Sequence, residues 1–304
     1  MLLKMSRVKT SGKGLLLIGC LAASVYTLVA QNTDYEKQIQ ESRSEMEKSI
    51  RSETGPLLLI GRYRVDEGKT TLGSHSKNNI VLPDRAPSVA GVIERQGEKI
   101  TFTPESGTEV QLKGTALKGA TVLRTGPGDE NLDKLRMGDF TLIVSSRSGD
   151  CSLFVRDRQS PFLKDFKGLS WFPIDPSYKV EATYTAYPEA KSVKVPDTQG
   201  GIRQMSVPGS LTFRLKAQLL HAEVFLENGY MFLMLKDQTS GKETYGAGRY
   251  LSVPLPANGK TKLDFNEAYN PLCAMDPFIS CPIVPKDNRL PIRIEAGAKY
   301  SATI

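Results

Sequence analysis

A chain of 304 residues with 39% hydrophobic side chains is long enough for one large or two ordinary domains with cores of their own. Against 33 Asp and Glu, 40 Lys and Arg give a net charge of +7, yet Lys4, Arg7, Lys9 and Lys13 all fall in a leader that holds no acid. The remaining body is nearly balanced and carries no long basic run, which argues against nucleic acid as a partner.

Residues 1–30 read as an export signal or an N-terminal anchor: a basic start, an apolar run from Gly14 to Ala30, then the polar QNTDYEK. The run is short for a membrane-spanning helix and long for a signal core. Leu17-Ile18-Gly19-Cys20 also resembles the lipobox of bacterial lipoproteins, which makes Cys20 a lipidation candidate. Cleaved signal, uncleaved anchor and lipoprotein stay open, and each places the body outside the cytoplasm. The membrane is a partner through the N-terminus where the leader is uncleaved or lipidated.

Residues 31–55 predict one amphipathic helix, capped near Thr33 or Asp34, with Tyr35, Ile39, Met46 and Ile50 forming a narrow apolar seam. From residue 56 to 160 short alternating runs such as NIVLP, KITFTPE and FTLIVSS, separated by turn residues, predict a β-sandwich. The pieces LGSHSKNNIVLPD, PSVAGVI, SGTEVQLKG and LRMGDFTLIV resemble a forkhead-associated domain. In that family an Arg, a Ser-x-x-His and an Asn-Gly-Thr turn bind phosphothreonine. Here Ser74 stands for the Arg, Gly91 for the His and Ser106 for the Asn, and only Ser88 is kept. The resemblance supports the sandwich and speaks against a phosphothreonine peptide as partner.

A second β unit, residues 165–304, is expected to hold about eight antiparallel strands joined by turns such as PDTQGG, VPGS and PANGK, curled into a barrel or folded sandwich to hide its edges. The fold class is therefore all-β, with an N-terminal amphipathic helix. Rossmann and P-loop signatures are missing, and no cofactor is indicated. With His75 and His221 alone and no paired CxxC, no metal site is indicated either. Cys273 and Cys281, with seven residues between them in a Pro-containing loop, are the expected disulfide in an oxidising compartment, contributing about 2–3 kcal/mol. Cys151 is expected to be a buried thiol.

The strings WFPIDPSYKVEATY, KDQTSGKETYGAGRYL, LDFNEAYNPLCA and CPIVPKDNRLPIRIEAG resemble the bacterial family named domain of unknown function 1684, from about Tyr35 to Tyr300. The resemblance marks those strings as the family's hallmark and implies no activity, cofactor or substrate. This chain departs from the pattern at Leu272, at Ile283 and Val284, and at Ala298, where a Glu is usual.

Polar residues cluster among Gly and Pro turns between Asp237 and Leu290, where strands hand over to functional loops. The candidate ligand contacts are Tyr245, Arg249, Asp264, Asn266, Tyr269, Asn270 and Arg289, with Arg249 and Asp264 as the central pair. The bland alternative makes Arg249 and Asp264 a structural ion pair and gives Asn266 and Asn270 to turn formation. Three readings follow: a module binding a small molecule or an envelope component, a hydrolase acting on an envelope glycan, peptide or ester, and a structural envelope protein. Cys273 with His221, or Asp264 with Asp237 or Glu295, would be the hydrolase's groups, but nothing in their spacing demands catalysis.

Overall fold

The computed structural model describes residues 14–126, 131–147 and 150–300, with side chains from Thr33 onward except that of Arg147. The start of the leader and the Cys20 side chain lie outside the described part. Helix α1 runs from Gly14 to Arg51 without a break, so the cap expected near Thr33 or Asp34 is not there. Its seam does point inward: Ile39 and Ile50 are buried, and Met46 packs beside Ile50. Among the described residues no helix is long and apolar enough to cross a membrane.

Among the described residues the sandwich is built from eleven short strands. β1 (Leu59–Arg64), β6 (Gln111–Leu112), β7 (Thr115–Ala116), β9 (Lys134–Met137), β10 (Phe140–Arg147) and β11 (Asp150–Asp157) form one sheet in the order β1-β11-β10-β9-β6-β7. β2 (Gly68–Gly73), β3 (Ile80–Val81), β4 (Gly91–Gln96), β5 (Lys99–Pro104) and β8 (Thr121–Leu123) form the other, in the order β3-β2-β4-β5-β8. Alternation sends Ile93, Ile100 and Phe102 of one sheet against Leu135, Leu142, Leu153 and Val155 of the other, and the Cys151 thiol is sealed among them.

After the short helix α2 (Pro161–Asp165), the second unit makes a single six-stranded antiparallel sheet. Its strands are β12 (Lys179–Pro196), β13 (Ile202–Leu215), β14 (Gln218–Glu227), β15 (Tyr230–Leu235), β16 (Arg249–Val253) and β17 (Lys260–Asp264), in the order β16-β15-β14-β13-β12-β17. Six strands replace the expected eight because β12 and β13 each absorb two predicted segments. The VPGS stretch is an irregularity in β13 and not a turn: the register with β12 shifts between Ala186 and Lys191, and the register with β14 shifts between Ser206 and Gly209. Gly209 is required there, since a Cβ would stand 2.5 Å from the Thr185 carbonyl oxygen and 2.6 Å from the Tyr184 ring.

The sheet curls until its two edges nearly meet. Tyr250 at the start of β16 exchanges two backbone hydrogen bonds with Tyr269 beyond β17, each 2.9 Å, and Thr261 Oγ1 donates to the Pro254 carbonyl at 2.8 Å. Between these two ties the edges splay, so the barrel is half closed. Inside it Leu211, Phe213, Val224, Leu233, Leu251, Leu263 and Phe265 form the core, capped by Ile292 and Ile294. The two units are joined by a small apolar cluster in which Ile50, Leu57, Leu58, Phe166 and Met275 meet. The Arg43 guanidinium of α1 lies over the Trp171 ring, 4.6 Å from its centre.

Candidate functional site

Arg249 opens β16 and is completely buried. Its Nη2 donates to the Ile294 carbonyl at 2.9 Å and faces Asp237 Oδ1 at 3.5 Å, while Nη1 donates to the carbonyls of Ala296 and Ala298. Asp237 in turn accepts from Thr239 Oγ1 at 2.8 Å, Ser240 Oγ at 3.2 Å and the Ile294 amide at 2.6 Å. Burial lowers the Arg249 pKa, and Asp237 works against that shift. The guanidinium is thus a clamp that ties the chain's last described segment onto the barrel. The expected Arg249–Asp264 pair is overturned. Leu263 and Phe265 face the core, so Asp264 between them points to the opposite side of the chain, where α1 covers it, away from Arg249's buried partners.

Asp264 and Asn266 instead receive α1. The Tyr35 hydroxyl lies 2.9 and 2.8 Å from the two Asp264 carboxylate oxygens, Lys179 Nζ approaches at 3.4 Å, and the Asn266 amide donates at 3.1 Å. Asn266 Nδ2 reaches the Tyr35 hydroxyl at 2.9 Å and the Asp175 carbonyl at 2.8 Å, and its Oδ1 accepts from the Asp175 amide at 3.0 Å. Arg43, one face of the helix further on, donates to the Asn266 and Phe172 carbonyls. Partial burial pushes the Tyr35 hydroxyl far up in pKa, and the Asp264 carboxylate adds to the shift. These residues dock a helix, a role that no spacing in the sequence announces because the partners are more than two hundred residues apart.

The other candidates spread out. Tyr269 closes the barrel against Tyr250, with the rings edge-on at 6.2 Å. Asn270 Nδ2 donates to the Lys299 carbonyl at 2.9 Å, leaving its Oδ1 buried without a partner. Arg289 is exposed and is not gathered with the rest; its neighbour Asn288 is wholly buried, donating to the Glu223 and Met234 carbonyls and accepting from the Glu223 amide. Asn288 was missed in the sequence, where it reads as an ordinary turn residue. Tyr245 donates to the Cys273 carbonyl at 3.3 Å and touches its sulfur at 3.9 Å.

Cys273 and Cys281 are both free thiols, which corrects the expected disulfide, although the Cys273 amide donates to Cys281 Sγ at 3.4 Å. The Cys281 thiol hydrogen-bonds toward Cys273 and lowers it to about 7, while the same contact together with burial drives Cys281 up. The imagined Cys273–His221 pair does not form: His221 Nδ1 lies 2.9 Å from Thr212 Oγ1 on the neighbouring strand. Among the described residues no cluster of His, Cys, Asp and Glu is arranged to hold a metal ion.

Where the barrel edges splay, α1 roofs a groove of about 650 Å³. Ile39, Met231, Val253 and Pro254 line it, Tyr230 and Leu255 stand exposed at its lip, and Tyr35, Lys179, Lys262, Asp264 and Glu267 supply a polar wall. A second cleft, of about 660 Å³, separates the units, with Arg62 and Phe154 of the sandwich facing Ile202, Arg203 and the 278–280 segment of the barrel.

A family model described as "Protein of unknown function (DUF1684)" matches residues 164–299, a shorter reach than the resemblance from Tyr35 onward. The solution NMR structure of an uncharacterised protein from Haloarcula marismortui is 33% identical over 45% of this chain and 78% of that one, with a TM-score of 0.39. The FHA domain of FhaA, solved in complex with an intracellular domain, is 17% identical over 31% of this chain and 86% of that one, with a TM-score of 0.22. Mycobacterium tuberculosis EmbR, solved with a low-affinity phosphopeptide, is 15% identical over 38% of this chain and 28% of that one, with the same TM-score of 0.22. No protein of curated function matches the chain.

Proposed function

The chain belongs, through residues 164–299, to the family of proteins of unknown function DUF1684, and from that footing we propose that it is an exported, envelope-associated binding module whose ligand lies in the groove between α1 and the splayed edges of the half-barrel. The observation that carries this reading is the groove itself, an apolar floor beside a wall of hydroxyl, ammonium and carboxylate groups. Such a lining suits an amphipathic small molecule, its apolar body against Ile39, Met231 and Val253 and its polar head toward Tyr35, Lys179 and Lys262. The basic start and apolar run of the leader support export. The carboxylates named as hydrolase groups each have a cation of their own, Asp237 in Arg249, Asp264 in Lys179 and Glu295 in Arg293, which weighs against those groups as a catalytic pair.

The test uses the fluorescent dye anilinonaphthalene sulfonate, which combines an apolar body with a charged head. Native full-length protein should bind it saturably, and a variant carrying Tyr230→Ser with Leu255→Glu should bind about tenfold more weakly, a loss of about 1.4 kcal/mol. Both side chains are exposed, at 77% and 73%, so the melting temperature should stay put. Undiminished dye binding in that variant would rule the groove out.

A further inference from the structure

We infer that Cys273 and Cys281 form a thiol–disulfide exchange site, with Cys273 as the attacking thiol, Cys281 as the resolving thiol, and an accessible disulfide on another molecule as substrate. The inference stands on residues outside the α1 groove. Its first support is position. Cys273 is half-buried beside the exposed Leu272, while Cys281 is buried beneath it, so an incoming disulfide meets one sulfur before the other. Its second support is contact: the Cys273 amide donates to Cys281 Sγ at 3.4 Å, which sets the resolving sulfur against the backbone of the attacking residue. Its third is anchoring. Cys281 is pinned to the end of β12, its amide donating to Thr198 Oγ1 at 3.1 Å and its carbonyl accepting from the Thr198 amide at 3.0 Å, so the resolving sulfur is held at the attacking one.

The side chains around the pair divide the labour. The Tyr245 hydroxyl, 3.9 Å from Cys273 Sγ, favours its thiolate, the nucleophilic form. Tyr250, Tyr269 and Arg203 are the other titratable groups in electrostatic reach of the pair. The Cys273 thiolate attacks one sulfur of the external disulfide, whose S–S bond breaks and releases a thiolate, leaving a mixed disulfide on Cys273. Cys281 then gives its proton to water and attacks the Cys273 sulfur, expelling the second thiolate. Two protein thiols become one disulfide, the substrate becomes two thiols, and electrons balance with no other oxidant. The Cys273 amide, already aimed at Cys281 Sγ, favours the Cys281 thiolate at that moment.

Oxidation would also change something beyond the pair. The bond closes a ring around residues 274–280, and Phe278, Ile279 and Ser280 of that ring form one wall of the cleft opposite Arg62 and Phe154. The redox state of the pair therefore sets how firmly that wall is held.

The experiment exposes reduced full-length protein to oxidised glutathione and follows intact mass and cross-linked peptides. Wild type should lose two hydrogen atoms as a Cys273–Cys281 bond and retain no glutathione. Cys281→Ser should stall with one glutathione on Cys273, and Cys273→Ser should stay unmodified, with Cys281 and the sealed Cys151 free. A lasting adduct on Cys281 or Cys151, an unresolved adduct on wild-type Cys273, or no reaction at all would each overturn the inference. Limiting iodoacetamide on wild type alone gives a reading that needs no variant to fold: Cys273 should react about tenfold faster than Cys281 at pH 7, and equal rates would count against the assignment.

Discussion

Replacing Arg249 by Met asks whether that residue is a clamp or a ligand contact. Both it and the Asp237 side chain are at 0% exposure, so neither charge is helped by water once its partner is gone. Removing the guanidinium leaves the carbonyls of Ile294, Ala296 and Ala298 without their donor and leaves Asp237 with hydroxyl and amide donors but no counter-charge. Breaking one side of such a buried pair costs about 3–5 kcal/mol. Asp237→Asn should cost less, about 2–3 kcal/mol, because Arg249 keeps all three carbonyls. The double variant should fall short of the sum by about 1–3 kcal/mol, the signature of a direct interaction. Urea unfolding followed by the fluorescence of Trp171, the one tryptophan, reads this out. With a slope of about 2 kcal/mol per molar urea, Arg249→Met should move the midpoint down by about 2 M. A midpoint within experimental scatter of wild type, or strict additivity of the two changes, would refute the clamp.

Two other substitutions test the docking of α1 and the loop between the thiols. Tyr35→Phe removes the hydroxyl shared by Asp264 and Asn266 and should cost about 1–2 kcal/mol, visible as faster amide exchange and proteolysis of residues 33–51 while the barrel strands stay protected. Asp276 is 1% exposed, with one oxygen accepting from the Phe278 amide at 2.7 Å and the other without a partner, and burial raises its pKa to about 6. Since the native state then binds more protons than the unfolded chain between about pH 4 and 6, this group's contribution to stability is largest below that window and is lost as pH rises through it. Asp276→Asn should therefore stabilise the protein at pH 7 by at most about 3 kcal/mol, with the gain vanishing near pH 4.

The elements themselves were legible in the sequence wherever period and burial agree. The alternation of KITFTPE becomes β5, with Ile100 and Phe102 inside, and the four-and-seven spacing of Tyr35, Ile39, Met46 and Ile50 becomes the inner face of α1. VPGS misleads because Pro and Gly signal a turn and a bulge alike, and only the registers across β12, β13 and β14 distinguish them. The polar cluster was found but its pairing was not. Asp237 lies twelve residues before Arg249 in a stretch that reads as a simple turn, DQTSG, and nothing local says that its carboxylate turns inward while Asp264 turns out. The groove was invisible for a plainer reason: its walls come from α1, the start of β12, β15, β16, β17 and the β14–β15 turn, and they meet only after the sheet has curled.

The hydrogen bond from Tyr35 to Asp264 joins residues 229 positions apart, and it sets an order of events. A ribosome working at about 5–20 residues per second needs on the order of 10–50 seconds to make the receiving strand after the helix has emerged. Throughout that interval Ile39 lacks the barrel edge it packs on, although Ile50 can meet Leu57, Leu58 and Phe166 as soon as they are made. The inner face of α1 near Tyr35 and Ile39 is therefore completed last, when Asp264 and Asn266 arrive to receive it.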